Sequence, residues 1–99
     1  MVGEVDSFDP VNGLTKVIQK NKLYRGDELN VLMPEGYMSP VKVAELYDHN
    51  LKAIDSAPHP GMTFFIKALD SEGNAVMLPP MAFLSRDGDK DNGIKPAEG

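Results

Sequence analysis

Turn-forming residues interrupt this chain so regularly that no long helix fits between them. Asp9-Pro10-Val11-Asn12-Gly13, Arg25-Gly26-Asp27-Glu28, Pro34-Glu35-Gly36, Tyr47-Asp48-His49-Asn50, Pro58-His59-Pro60-Gly61 and Asp70 to Asn74 each combine Gly, Pro, Asn or Asp. These residues supply positive φ, fixed φ or side-chain bonds to nearby backbone, which is the chemistry of turns. Between them no segment sustains an apolar period of 3.6 residues. VKVAELYDHNLKAI comes nearest, but its β-branched start and its Asp-His-Asn break disfavour a helix. What remains is short strands punctuated about every 8–12 residues, the pattern of a small barrel or sandwich. A barrel is preferred, because closure removes the exposed edges that a domain of 99 residues could not otherwise cover.

The stretch Asn21 to Met33 organises the rest. Leu29, Val31 and Met33 alternate with Glu28, Asn30 and Leu32, so one strand face is buried. The Gly26-Asp27 turn leads into it, and the whole reads as a hairpin. Before it, Val2 to Phe8 is a first strand and Leu14 to Lys20 its return, with Thr15, Val17 and Gln19 on one face and Leu14 and Ile18 on the other. After it, Met38 to Leu46 carries Val41 and Val43 on one side. Ala53 to Ala57 is a short strand. Met62 to Leu69 is the most apolar strand, with Phe64, Ile66 and Ala68 on one face. Ala75 to Leu78 reads as a last short strand, and Met81 to Leu84 adds one apolar contact. The fold class is therefore all-β, a six- or seven-stranded barrel over residues 1–84. Residues 85–99, rich in Asp, Gly and Lys with little to bury, are expected to form an acidic, disordered tail.

Function is bounded mostly by exclusion. The chain has no Cys, which removes disulfides, thiol catalysis and thiolate metal sites. A net charge of −5 argues against a large nonspecific nucleic-acid surface, though not against a small basic patch. No apolar run approaches the ~20 residues of a membrane span, and no signal peptide is visible, so no membrane partner is expected and a cytoplasmic location is. There is no Gly-x-Ser-x-Gly, no His-Glu-x-x-His and no phosphate-cradling glycine loop. His59 sits in a His-Pro-Gly turn without a partner that would make it catalytic. Neither catalytic residues nor a cofactor are expected.

Two local features carry chemistry. Lys16, Lys20 and Lys22, running into Tyr24 and Arg25, make the one local basic cluster; a solvated strand face is its simplest reading. Arg25-Gly26-Asp27 is also the integrin-binding tripeptide, but the turn requires Gly-Asp on its own account. In the tail, Asp87, Asp89, Asp91 and Glu98 fall at positions 1, 3, 5 and 12 of an EF-hand loop, a weak calcium candidate. Asn92 stands where that loop needs glycine, and Pro80 interrupts the incoming segment, so a solvated acidic tail is the favoured reading.

The order of these pieces resembles a known family. Gly3-Glu4-Val5-Asp6-Ser7-Phe8-Asp9-Pro10 with Gly13, then Asn21-Lys22-Leu23 with Gly26-Asp27 and Leu29, then Met33-Pro34 with Gly36, then Ala57-Pro58-His59-Pro60-Gly61, is similar to the C-terminal domain of the collagenase-like peptidase family U32. The resemblance spans Val2 to Leu84. Gln19 departs from it, standing where the family carries an apolar residue, and the Asp-rich tail lies outside it. The resemblance implies a lid-like β-barrel resembling the second domain of translation elongation factors. It implies that a barrel-type catalytic domain precedes this one and holds the catalytic residues. It also implies that the parent is an enzyme, a peptidase acting on collagen-like substrates or a protein of tRNA or rRNA hydroxylation. The expected partners are then that catalytic domain and a collagen-like peptide or RNA. The expected contacts are Lys20, Lys22, Tyr24, Arg25 and His59, basic and aromatic groups on exposed turns. A purely structural interaction domain, binding nothing alone, is the third reading.

Overall fold

The computed structural model describes residues 1–57 and 61–86. Eight strands form: β1 (Gly3–Asp9), β2 (Leu14–Gln19), β3 (Leu23–Tyr24), β4 (Glu28–Leu32), β5 (Met38–Tyr47), β6 (Ser56–Ala57), β7 (Thr63–Leu69) and β8 (Phe83–Arg86). Six of them close a barrel in the order β1-β2-β7-β5-β4-β8, with β8 pairing back onto β1 and every neighbour antiparallel. The all-β barrel expected from turn spacing is therefore the fold. No described helix is long and apolar enough to cross a membrane.

The barrel interior follows from alternation. Leu29 and Val31 on β4, and Phe64, Ile66 and Ala68 on β7, point inward and are buried, as their period of two requires. Two bulges modify the pattern. On β1 the register shifts between Val5 and Ser7, so Val5 faces inward opposite Val17, while beyond the shift Phe8 lies opposite buried Thr15. On β5 the shift falls between Val43 and Glu45, so Val41, Val43 and Leu46 are all buried although their spacing breaks alternation.

Three expectations need correction. Asn21 to Met33 is not a hairpin: β3 pairs with β6, whereas β4 pairs with β5 and β8. Both elements of that stretch are strands, but the sheet partner of each lies elsewhere in the chain. Ala75 to Leu78 is not a strand; Ala75 makes one isolated bridge to Leu69, and Leu78 drops into the core. The last strand is instead β8, which continues to Ser85 and Arg86 opposite Asn30 and Leu29, two residues past the expected end of the domain.

Candidate functional site

Four of the expected contact residues, Lys20, Lys22, Tyr24 and Arg25, lie on the short path from β2 through β3 to β4. The turn itself spans Tyr24 to Asp27, one residue earlier than its composition suggested. The Asp27 N–H donates to the Tyr24 carbonyl at 3.1 Å, and Gly26 adopts φ 93°. That positive φ at the third turn position is why glycine stands there. The Asp27 carboxylate closes the turn from the other side by accepting the Tyr24 N–H at 2.9 Å.

This turn is anchored to the barrel from several directions. The Gly26 N–H donates to the Val43 carbonyl at 2.8 Å, and the Val43 N–H donates to the Asp27 carbonyl at 2.9 Å. Both bonds fall beside the β5 bulge, where Val43 still pairs with Ala68 on β7. The Arg25 N–H donates to the Asp55 carbonyl at 2.9 Å, and the Arg25 guanidinium pairs with the Asp55 carboxylate at 2.8 Å. Arg86, at the end of β8, donates to the Lys22 carbonyl and lies 3.3 Å from the Asp27 carboxylate. The backbone is thus held while several side chains are not. Tyr24 is 45% exposed, and Lys20 and Lys22 are exposed with no ion pair among the described residues.

Gln19 explains how a polar residue fits an inward position at the base of this segment. Its side-chain amide donates to the Asn21 carbonyl at 3.1 Å and to the Ala57 carbonyl. Its backbone N–H donates to the Met62 carbonyl, and its carbonyl accepts the Gly61 N–H, each at 2.8 Å. One residue therefore ties the start of the turn segment to Ala57 and Gly61, which flank residues 58–60 on either side. A leucine there could fill the space but could not donate to the two carbonyls.

The structure brings Lys20, Lys22, Tyr24 and Arg25 into one exposed segment. His59 lies outside the described residues, as do the calcium candidates Asp87, Asp89, Asp91 and Glu98. Among the described residues no cluster of three or more His, Asp or Glu could hold a metal ion. Asp27, Asp55 and Arg86 frame the site without having been singled out as candidates. Asp55 and Arg86 reach it only through pairing with residues distant in the chain, so no local pattern marks them.

The fold and this segment can be set beside known proteins. The sequence profile of the peptidase family U32 C-terminal domain matches residues 1–78. Among solved structures, the C-terminal domain of a Geobacillus thermoleovorans protein assigned to the U32 peptidases superposes with a TM-score of 0.69 at 24% identity, covering 88% of this chain and 91% of that one. Its selenomethionine variant gives the same TM-score and identity over 86% and 96%. At that identity the likeness establishes a shared fold. No curated protein sequence matches the chain.

Proposed function

The chain belongs to the family of peptidase family U32 C-terminal domains, and from that premise we propose that it is a non-catalytic accessory barrel. In this reading it acts as a lid, capping or positioning substrate against the catalytic domain of a collagenase-like peptidase. The observation that supports this is the Lys20–Arg25 segment. Its backbone is anchored by Val43, Asp55 and Arg86, while Lys20, Lys22 and Tyr24 extend into solvent. Anchored backbone with free side chains is what a binding loop on a rigid scaffold requires. His59, between the two residues that Gln19 ties down, is the remaining proposed contact. Peptide carbonyls and carboxylates would accept from the lysines, and Tyr24 would pack on apolar substrate surface.

A second reading, an RNA-contacting barrel of a tRNA or rRNA hydroxylation protein, draws on the same segment. Lysines with no ion pair among the described residues, beside an exposed tyrosine, combine phosphate neutralisation with a stacking surface. The net charge of −5 makes such contact weak and strongly salt-dependent.

The test is a Lys22→Glu, Arg25→Glu double variant of the domain joined to its catalytic domain, with Lys16→Glu as a control for added negative charge outside the turn. Turnover of the parent's substrate should fall about tenfold or more in the double variant, the loss of roughly one or two transition-state contacts, and stay near wild type in the control. Unchanged turnover in the double variant would remove both substrate-contact readings and leave a purely structural domain.

A further inference from the structure

The cations around the basic turn divide into matched and unmatched. Arg25 is paired with Asp55 at 2.8 Å and Arg86 with Asp27 at 3.3 Å, while Glu28, next along β4, lies opposite Lys42. Lys20 and Lys22 are exposed and have no ion pair among the described residues, so the uncompensated positive charge of this turn rests on them. β8 ends beside both. Its last residue, Arg86, lies opposite Leu29, and its guanidinium donates to the Lys22 carbonyl. The Lys20 N–H donates to the Val2 carbonyl at 2.9 Å, and the Val2 N–H donates to the Leu84 carbonyl at 2.7 Å. Lys20 is therefore two strand spacings from β8, roughly 10 Å. Directly after Arg86 the sequence runs Asp87-Gly88-Asp89-Lys90-Asp91, three acids against one base. These five residues lie outside the described ones, but connectivity places their start at Arg86. Extended, five residues span at most about 18 Å, so Lys20 and Lys22 are within their reach.

We propose that the Asp87–Asp91 stretch is the resident occupant of the Lys20–Lys22 surface, an internal competitor that any external ligand of the turn must displace. The contact itself follows from connectivity and charge; its regulatory meaning rests on the substrate-reading turn proposed above. Exposed ion pairs are individually weak, so a separate acidic peptide of this length would bind the two lysines poorly. The same carboxylates held on the chain at Arg86 meet them at an effective concentration of the order of millimolar, which makes weak pairing sufficient. That weakness suits a competitor: a partner that adds contacts to Tyr24 displaces it, whereas a ligand offering charge alone does not. The device also accounts for acids and lysines of one small domain standing so close without a fixed partner among the described residues.

The experiment uses the 99-residue chain, whose lack of Cys allows a single nitroxide label on an Asn92→Cys variant. Paramagnetic relaxation of backbone amides is measured at 0.01 M and 1 M salt, between which the screening length falls from roughly 30 Å to 3 Å. At low salt the enhancement at Lys20 and Lys22 should be strong. It should fall at least threefold at 1 M salt, and as far at low salt with Asp87→Asn, Asp89→Asn, Asp91→Asn or with Lys20→Gln, Lys22→Gln. Enhancement that neither salt nor either set of substitutions changes overturns the proposal, because attachment near the turn alone produces it. A collagen-like peptide titrated into the unlabelled chain supplies the second readout: the triple Asp→Asn variant should bind it severalfold more tightly than the wild type. Binding at the turn with equal affinity in both proteins overturns the competition. If the peptide binds neither protein, the substrate-reading turn fails while the relaxation data still decide the contact, so the two failures are distinguishable.

Discussion

Gln19 is 2% exposed, and its amide satisfies two carbonyls that approach it from different parts of the chain. Gln19→Leu should therefore cost about 1–3 kcal/mol, the penalty of buried acceptors losing their donor, read as a lower urea midpoint. Thr15 presents the opposite case. Among the described residues its hydroxyl oxygen is buried without a partner, so Thr15→Val should be neutral or slightly stabilising in the same assay. Gly3 is constrained by space: a Cβ there would lie 2.5 Å from Val17 Cγ1 and 3.0 Å from the Ile18 carbonyl oxygen. Gly3→Ala should cost roughly 1–3 kcal/mol through overpacking. Two loop aspartates carry a pH signature. Asp9 is held below the usual carboxylate range by the Asn12 side-chain amide and by the Asn12 and Val11 N–H groups; Asp48 is held low by the Lys52 and Asn50 N–H groups. Folded-state values below the unfolded ones mean that this stabilisation is present above the ordinary Asp value and fades as pH falls through the lowered one. Carboxyl ¹³C titration should place both midpoints below that of a model Asp peptide.

At the scale of elements, the Tyr24–Asp27 turn and β8 hold the architecture. Gly26→Ala would force a side chain into φ 93°, costing about 1–2 kcal/mol, and should move the amide signals of Tyr24, Arg25 and Val43. Ending the chain at Ala82 removes β8, which seals β1 to β4 and carries fully buried Leu84. Two open edges result, so that truncation should abolish cooperative unfolding, whereas ending at Arg86 keeps every described strand pairing. These elements also show what the sequence made legible. β4 and β7 alternate cleanly, and their inward faces were readable residue by residue. β8 was not, because Ser85 and Arg86 look like the start of a polar tail and become strand only by pairing with β4. The β3–β6 pairing was equally hidden, since strands of two residues carry no period. The bulges at β1 and β5 move inward positions from one parity to the other, which alternation alone cannot anticipate. The basic segment was legible as composition, but its frame of Asp27, Asp55, Arg86 and Val43 depends on contacts between distant residues.

For the whole molecule, a net charge of −5 coexists with a local run of Lys20, Lys22 and Arg25 on an anchored turn. Contacts made there with an anionic or peptide partner should weaken between low and physiological salt, because exposed charges are screened over about 8–10 Å. The most direct test of the substrate-reading turn is a ¹H–¹⁵N correlation spectrum of the 99-residue chain, titrated separately with a collagen-like peptide and with bulk tRNA. The account predicts shift changes confined to Lys20–Asp27, salt-sensitive and led by the peptide; the same changes with tRNA alone would transfer the turn to RNA. A dispersed β spectrum that neither ligand moves would contradict the claim that this turn reads substrate.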